Sequence, residues 1–241
     1  MRNAYSNVAP SGSPRLAMLR TRALYYGIAV VAFPKLFPPM VASELPAPFH
    51  RDGWVYEEKY DGYRCLVFKR RDGVALVSRN LSDMTSWFPG VASAVAALPA
   101  STLVLDAEIA VFDEELVSHL GYLGRHARKF APARKTTPPV LVAFDCLFAR
   151  GRDLRGRPLN ARRKALDREL DGAAGPIVLA RRLEPNGLLA WQQVKNNGWE
   201  GMVCKDDRSI YEPGKRTSAW IKVKHRVRRG WPEEGLEVRR S

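Results

Sequence analysis

The chain has 241 residues, 46% of them hydrophobic, which is enough for the core of one large or two small domains and excludes a disordered protein. Its 39 Lys and Arg against 25 Asp and Glu leave a net charge of +14, an excess that points to polyanionic partners and to nucleic acid first. The cysteines, Cys65, Cys146 and Cys204, stand singly in apolar runs, so they exclude a disulfide framework and a zinc site and read as buried thiols of a cytoplasmic protein.

At the N-terminus, Arg15, Arg20 and Arg22 precede the apolar run Ala23 to Phe33, which is too short to span a bilayer and is stopped by Pro34-Lys35. A short helix or strand packed on the domain is expected there, with residues 1–14 disordered, residues 1–35 an extension, and no membrane partner. Pro38-Pro39 and Pro46-Ala47-Pro48 form an extended lead-in. Strands are then expected over 54–59, 63–69, 73–79, 103–112, 140–148, 202–206 and 219–224, with helices over 86–97, 116–129, 159–171 and 185–197. Asp72-Gly73 predicts a hairpin, and 130–139, rich in proline, a flexible loop. Hairpins with intervening helices define an α+β chain of mainly antiparallel sheets. No GxGxxG or GxxxxGK[ST] pattern is present, so the common nucleotide cradles are excluded.

Five clusters carry candidate chemistry. In Trp54-Val55-Tyr56-Glu57-Glu58-Lys59, strand alternation puts Glu57 and Lys59 on one face, before a tight Asp61-Gly62 turn and Arg64. A lysine placed there can bind a phosphate or attack one; taken alone the tetrapeptide is a weak signal, its bland reading being a surface hairpin. Ser78-Arg79-Asn80 ends a strand with an arginine able to reach ribose or phosphate. Asp106 and Glu108 share a strand face inside an apolar run, where charge is costly unless it is paired or functional, the alternative being an edge strand with a solvated face. Phe144 is a core residue or a base-stacking ring. Glu200 opens a strand where a metal or hydroxyl could be met, and Lys222 and Lys224 repel side by side, so an anion between them is a natural solution. A reactive lysine, carboxylates, an aromatic and paired lysines are together what nucleotidyl transfer requires.

In order and spacing, Glu57-Glu58-Lys59-Tyr60-Asp61-Gly62-Tyr63-Arg64, Ser78-Arg79-Asn80, Leu105-Asp106-Ala107-Glu108, Phe144-Asp145-Cys146-Leu147, Pro158-Leu159 before Arg162-Arg163, Glu200 to Lys205 and Trp220 to Lys224 resemble the covalent nucleotidyltransferase superfamily, most closely the ATP-dependent DNA ligases of the bacterial end-joining type. The resemblance runs from about Pro39 to Lys224. It implies the ATP-grasp-like nucleotidyltransferase fold, an adenylation domain over 36–226 and a C-terminal tail over 227–241. Lys59 would be the nucleophile that becomes lysine-AMP. ATP would be bound by Glu57 at the adenine edge, Arg64 and Arg79 near ribose and phosphate, Glu108 at the ribose, Phe144 stacked on adenine, and Lys222 and Lys224 on the α-phosphate. Glu200 and Glu108 would hold Mg²⁺ or Mn²⁺. Ala107 replaces the family's usual glycine, and His119 stands where phenylalanine is common. Family members continue into an OB-fold, for which Val227 to Ser241 is too short, so a chain without an OB-fold domain is expected, whether naturally minimal or truncated. The partners implied are nicked or broken double-stranded DNA and an end-joining repair partner or a separate OB-fold chain. An RNA ligase or capping-type enzyme shares the same lysine chemistry, and a catalytically weak DNA-binding protein is the rival reading from another class.

Overall fold

Antiparallel pairing of short apolar runs builds two β-sheets, and the gap between them holds the site. The structure, a computed structural model, describes residues 31–123 and 135–225. In chain order the elements are β1 (Val41–Glu44), β2 (Trp54–Glu58), β3 (Tyr63–Arg70), β4 (Gly73–Ser78), α1 (Pro89–Ala97), β5 (Leu103–Ala110), β6 (Val140–Ala149), β7 (Arg152–Asp153), α2 (Leu159–Leu170), β8 (Ile177–Leu179), α3 (Gly187–Asn196), β9 (Gly201–Asp206) and β10 (Arg216–Lys224). The first sheet runs β1-β10-β9-β2. The second runs β4-β3-β5-β6-β7, with β8 also paired to β6. Only β1 with β10 and β6 with β8 are parallel among these pairs, so the expected α+β, mainly antiparallel architecture holds.

Three apolar clusters define the layers. Leu66, Phe68, Val104 and Leu147 of the second sheet meet Trp220 and Tyr211 in the space between the sheets. On its outer face, α1 and α2 cover Val67, Leu105 and Cys146 through Val91, Val95 and Leu166. Beyond the first sheet, α3 buries Ala190 and Val194 against Tyr56, Met202 and Cys204. The Asn186 side chain caps α3, accepting from Leu188 N at 2.9 Å and Leu189 N at 3.3 Å, a contribution of about 1 kcal/mol.

Several expectations need correction. Asp61-Gly62 does not close a hairpin, because β2 belongs to the first sheet and β3 to the second. The link crosses between sheets and passes so close to β5 that a Cβ on Gly62 would overlap the Ile109 carbonyl. The helix expected over 116–129 is absent from its described part. Asp113 Oδ1 accepts from Val117 N at 2.8 Å, Leu116 takes a left-handed turn at φ 58°, and Ser118 bridges Phe112 before a 3₁₀ turn at Leu120–Tyr122. Side-chain capture of the backbone by aspartate wins there over apolar periodicity; residues 124–129 lie outside the described residues. The helix expected from 86 starts at Pro89, a natural first position, after a 3₁₀ turn at Thr85–Trp87. Strands β1, β7 and β8 were not expected from the sequence, being short and flanked by proline or glycine. The structured run proposed for 23–30, the disorder of 1–14 and the first half of the 130–139 loop lie outside the described residues. Phe33, at the end of that run, packs edge-on against Phe148 at 5.2 Å between ring centroids.

Candidate active site

The antiparallel register of β2 and β9 creates the central contact. Glu58 faces Met202, Lys59 N donates to Gly201 O at 3.0 Å, and Glu200 is thereby set opposite Lys59. The Lys59 ammonium donates to Glu200 Oε2 at 2.5 Å across 141 residues of sequence. Gly201 at φ 156° lies against the Val223 carbonyl, where a Cβ would clash, so glycine is needed for β9 to pass β10 this closely.

A cleft of about 530 Å³ opens between the sheets, lined by Glu57, Glu58, Lys59, Arg64, Arg79, Glu108, Phe144 and Lys222 among others. Thus Glu57, Lys59, Arg64, Arg79, Glu108, Phe144 and Lys222 are brought together from six different segments. Glu200 joins them through Lys59, and Lys224 lies one strand repeat beyond Lys222 on the same face of β10.

β5 is central in its sheet, between β3 and β6, which removes the reading of Asp106 and Glu108 as an exposed edge. The two carboxylates have separate tasks. Asp106 is fully buried and forms a two-pronged pair with Arg64, Nε to Oδ1 at 3.0 Å and Nη2 to Oδ2 at 2.7 Å, while also accepting from Tyr211 Oη at 2.7 Å. That pair fixes Arg64, whose guanidinium sits 5.6 Å from the Phe144 ring centre. The side chain of Glu108, which stands opposite Arg64 in the ladder, makes no hydrogen bond or ion pair among the described residues. Burial pushes its carboxyl up to about 8, against the opposing pull of Arg64 and Lys59 and with help from Asp106 and Glu200. Burial also raises Glu200, partly offset by Lys59.

Phe144 is the one partly exposed residue between Leu141 and Ala149 of β6, so its ring faces the cleft rather than the core. Glu57 is committed to the protein, with Oε2 accepting from Lys205 Nζ at 2.5 Å and Oε1 from Arg163 Nη1 at 3.2 Å. Lys205 also rests over the rings of Phe144 and Trp220, at 4.5 and 4.3 Å from their centres. The sequence reading did not assign Lys205 or Arg163 a role, nor Tyr211 and Trp220. A lysine inside the apolar run Met202-Val203-Cys204 was the available signal, since a buried ammonium demands a counter-charge. Lys222 and Lys224 do share an anion, and it is internal: Glu44 Oε2 lies 3.0 and 3.6 Å from their ammonium groups. Arg79 is exposed on the rim with no ion pair among the described residues.

No group of three or more His, Cys, Asp or Glu gathers to hold a metal among the described residues. Glu108 and Glu200 nevertheless feel one another electrostatically, and both are penalised as anions by burial. Such a carboxylate pair fits a hard divalent cation that keeps waters and takes substrate phosphates for its other ligands.

A lysine held in a cleft of this form between two antiparallel sheets defines the nucleotidyltransferase class. Residues 39–224 match the family model described as ATP dependent DNA ligase domain, and the chain belongs to that family. It is 33% identical over 194 residues to the multifunctional non-homologous end joining protein LigD of Mycolicibacterium smegmatis, covering 80% of this chain and 24% of that protein. A probable DNA ligase of Beutenbergia cavernae is 37% identical over 182 residues, covering 70% of this chain and 33% of that one. A mycobacterial DNA ligase D complexed with ATP and MES superposes with a TM-score of 0.65 at 30% identity, over 78% of this chain and 60% of that one. The chain therefore spans about a quarter to a third of the length of these curated relatives. Among the described residues no helix is long and apolar enough to cross a membrane.

Proposed function

We propose that this chain carries the adenylation step of an ATP-dependent DNA ligase, residues 36–226 being the adenylation domain. The contact of Lys59 with Glu200 at the floor of the inter-sheet cleft carries the reading. Adenine stacks on Phe144, with Val203 on the facing sheet. Glu57, fixed by Lys205 and Arg163, presents a rigid acceptor edge to the base. Arg64, oriented by Asp106, reaches the ribose, as does Glu108, while Arg79 and Lys222 meet phosphate oxygens. Lys224 reaches the same phosphates once Glu44 has been displaced.

For attack, Lys59 passes a proton to Glu200 Oε2, and its neutral amine bonds to the α-phosphorus. The bond from that phosphorus to the bridging oxygen of the β-phosphate breaks, the second amine proton departs with pyrophosphate, and lysine-AMP remains. Mg²⁺ or Mn²⁺, held by Glu108 and Glu200, would neutralise phosphate charge there. The phosphoramidate bond of that adduct then breaks as its AMP passes to a 5′-phosphate oxygen at a nick or break in duplex DNA, which returns Lys59 as the protonated amine and leaves the DNA end joined to AMP through a pyrophosphate linkage, with an end-joining partner or a separate OB-fold chain as accessory. The +14 charge supports a polyanionic substrate, and three buried free thiols support a cytoplasmic location.

Incubation with labelled ATP and Mg²⁺, followed by a denaturing gel, tests this. An acid-labile, alkali-stable adduct reversed by pyrophosphate is expected, and absent in Lys59→Ala. Label that persists in Lys59→Ala removes Lys59 as nucleophile.

A further inference from the structure

A second concave surface lies at the far end of β6. Its floor is made of small or apolar residues, Ala149, Leu154, Ala161 and Ala165, and its rim of Arg150, Arg152, Arg157 and Arg168 with Asp153, enclosing about 620 Å³. The tight β6–β7 turn builds one side, with Arg150 and Gly151 both left-handed at φ 50° and 78°. Helix α2 builds the other. Ala149 is five residues along β6 from Phe144, about 17 Å at the usual rise of an extended strand, so this groove shares no lining residue with the ATP cleft.

The arginines fall into two sets. Glu169, its side chain wholly buried, accepts from Arg150 Nε at 3.0 Å and from Arg168 Nε at 3.2 Å. One hidden carboxylate thus fixes two guanidiniums that remain 56% and 64% exposed. Asp153 is taken by Arg155, with Nη2 to Oδ2 at 2.5 Å. Arg152 and Arg157 are exposed, and their side chains have no hydrogen bond or ion pair among the described residues. Five arginines against two carboxylates leave the groove strongly positive, with part of the array held in place before any ligand arrives. Guanidinium groups so arranged repel one another until an anion enters, and their planar forks suit phosphate. A floor of alanine and leucine between charged rims matches a backbone in which apolar sugars alternate with phosphates better than it matches an acidic peptide.

We propose that the Arg150–Arg152–Arg157–Arg168 groove is a docking site for the phosphodiester backbone of DNA, separate from the catalytic cleft. It holds the duplex by charge without reading sequence, and it rests on the ligase reading only for the identity of that nucleic acid.

The test uses the full chain and the pair Arg152→Glu/Arg157→Glu, two exposed residues outside the catalytic machinery. Binding to a labelled nicked duplex is measured by fluorescence anisotropy across a salt series, alongside ATP-dependent self-labelling. The variant is expected to bind at least about ten-fold more weakly at low salt, with the log–log salt slope flatter by about one for each lost phosphate contact, and to self-label at the wild-type rate. An unchanged slope and affinity overturns the proposal. So does the case in which polyglutamate binding to the wild type is lost in the variant while DNA binding is not, since the groove then takes an acidic protein. Loss of the DNA slope in a chain that never self-labels upholds the groove and sinks the ligase reading instead.

Discussion

The seam between the sheets and the mouth of the cleft both contain buried charge, but they treat it oppositely. At the seam every charge is matched. Arg162, wholly buried, meets Asp145 through two bonds of 2.8 Å and gives its remaining nitrogen to the carbonyls of Arg157 and Ser209. Glu57 sits between Lys205 and Arg163, and Asp106 between Arg64 and Tyr211. At the mouth, Glu108 has no such partner, and Glu58 is held only loosely, with Arg181 Nη1 at 3.3 Å from Oε2 and the Tyr60 hydroxyl beside its carboxyl. Asp106 and Glu108 are two residues apart on one strand face, so neighbours rather than residue type create the difference. A matched buried charge holds structure; an unmatched one stores a penalty that a ligand can relieve.

The largest effect should come from the mouth. Glu200→Ala removes the proton acceptor beside Lys59, and adenylation should slow by on the order of two powers of ten or more. Single-turnover labelling at the wild-type rate would make Glu200 a bystander. Unfolding by denaturant should leave this variant's midpoint nearly unmoved.

The seam should behave in reverse. Arg162→Met strands Asp145 without a counter-charge and should cost roughly 3–5 kcal/mol of stability. Adding Asp145→Leu to the same chain should recover much of that loss, because the penalty belongs to the unpaired carboxylate. A double variant as unstable as the single one would assign the loss to packing.

Glu58 offers a smaller effect with a sign set by pH. Burial holds its carboxyl up at about 7 from an ordinary 4.5, so the fold favours the neutral form. That stability is complete below the unfolded-state value and drains away as pH rises through about 7. Between about pH 4.5 and about pH 7 the wild type should therefore lose roughly 3 kcal/mol relative to Glu58→Gln, with little further change above that. Parallel stability curves for the two proteins would show that Arg181 already compensates the charge.

The smallest change is expected at Glu44. Its carboxylate competes with phosphate for Lys222 and Lys224 from a solvent-exposed position, where such pairs are weak. Glu44→Gln should lower the KM for ATP a few-fold while leaving the maximal labelling rate alone. A raised KM would instead make Glu44 a residue that positions the lysines.

What the sequence alone determined was local. Alternation along Trp54 to Lys59 set Glu57 and Lys59 on one face, apolar runs marked the seven longer strands, and motif order pointed to a lysine-centred nucleotidyl transfer. Short elements escaped because β1, β7 and β8 have too few residues for periodicity to show. The 116–129 segment misled because Asp113 recruits the backbone of Val117 against its helical pattern. Only tertiary structure decided the pairings. It put Glu200 against Lys59, chose Arg64 for Asp106 but left Glu108 bare, supplied Glu44 to the two lysines, and seated Lys205 between Glu57 and the aromatic rings. Each of those choices depends on strand register between segments far apart in the chain. Register fixes which charge meets which to within an ångström, and at low dielectric that distance separates a structural ion pair from a reactive group.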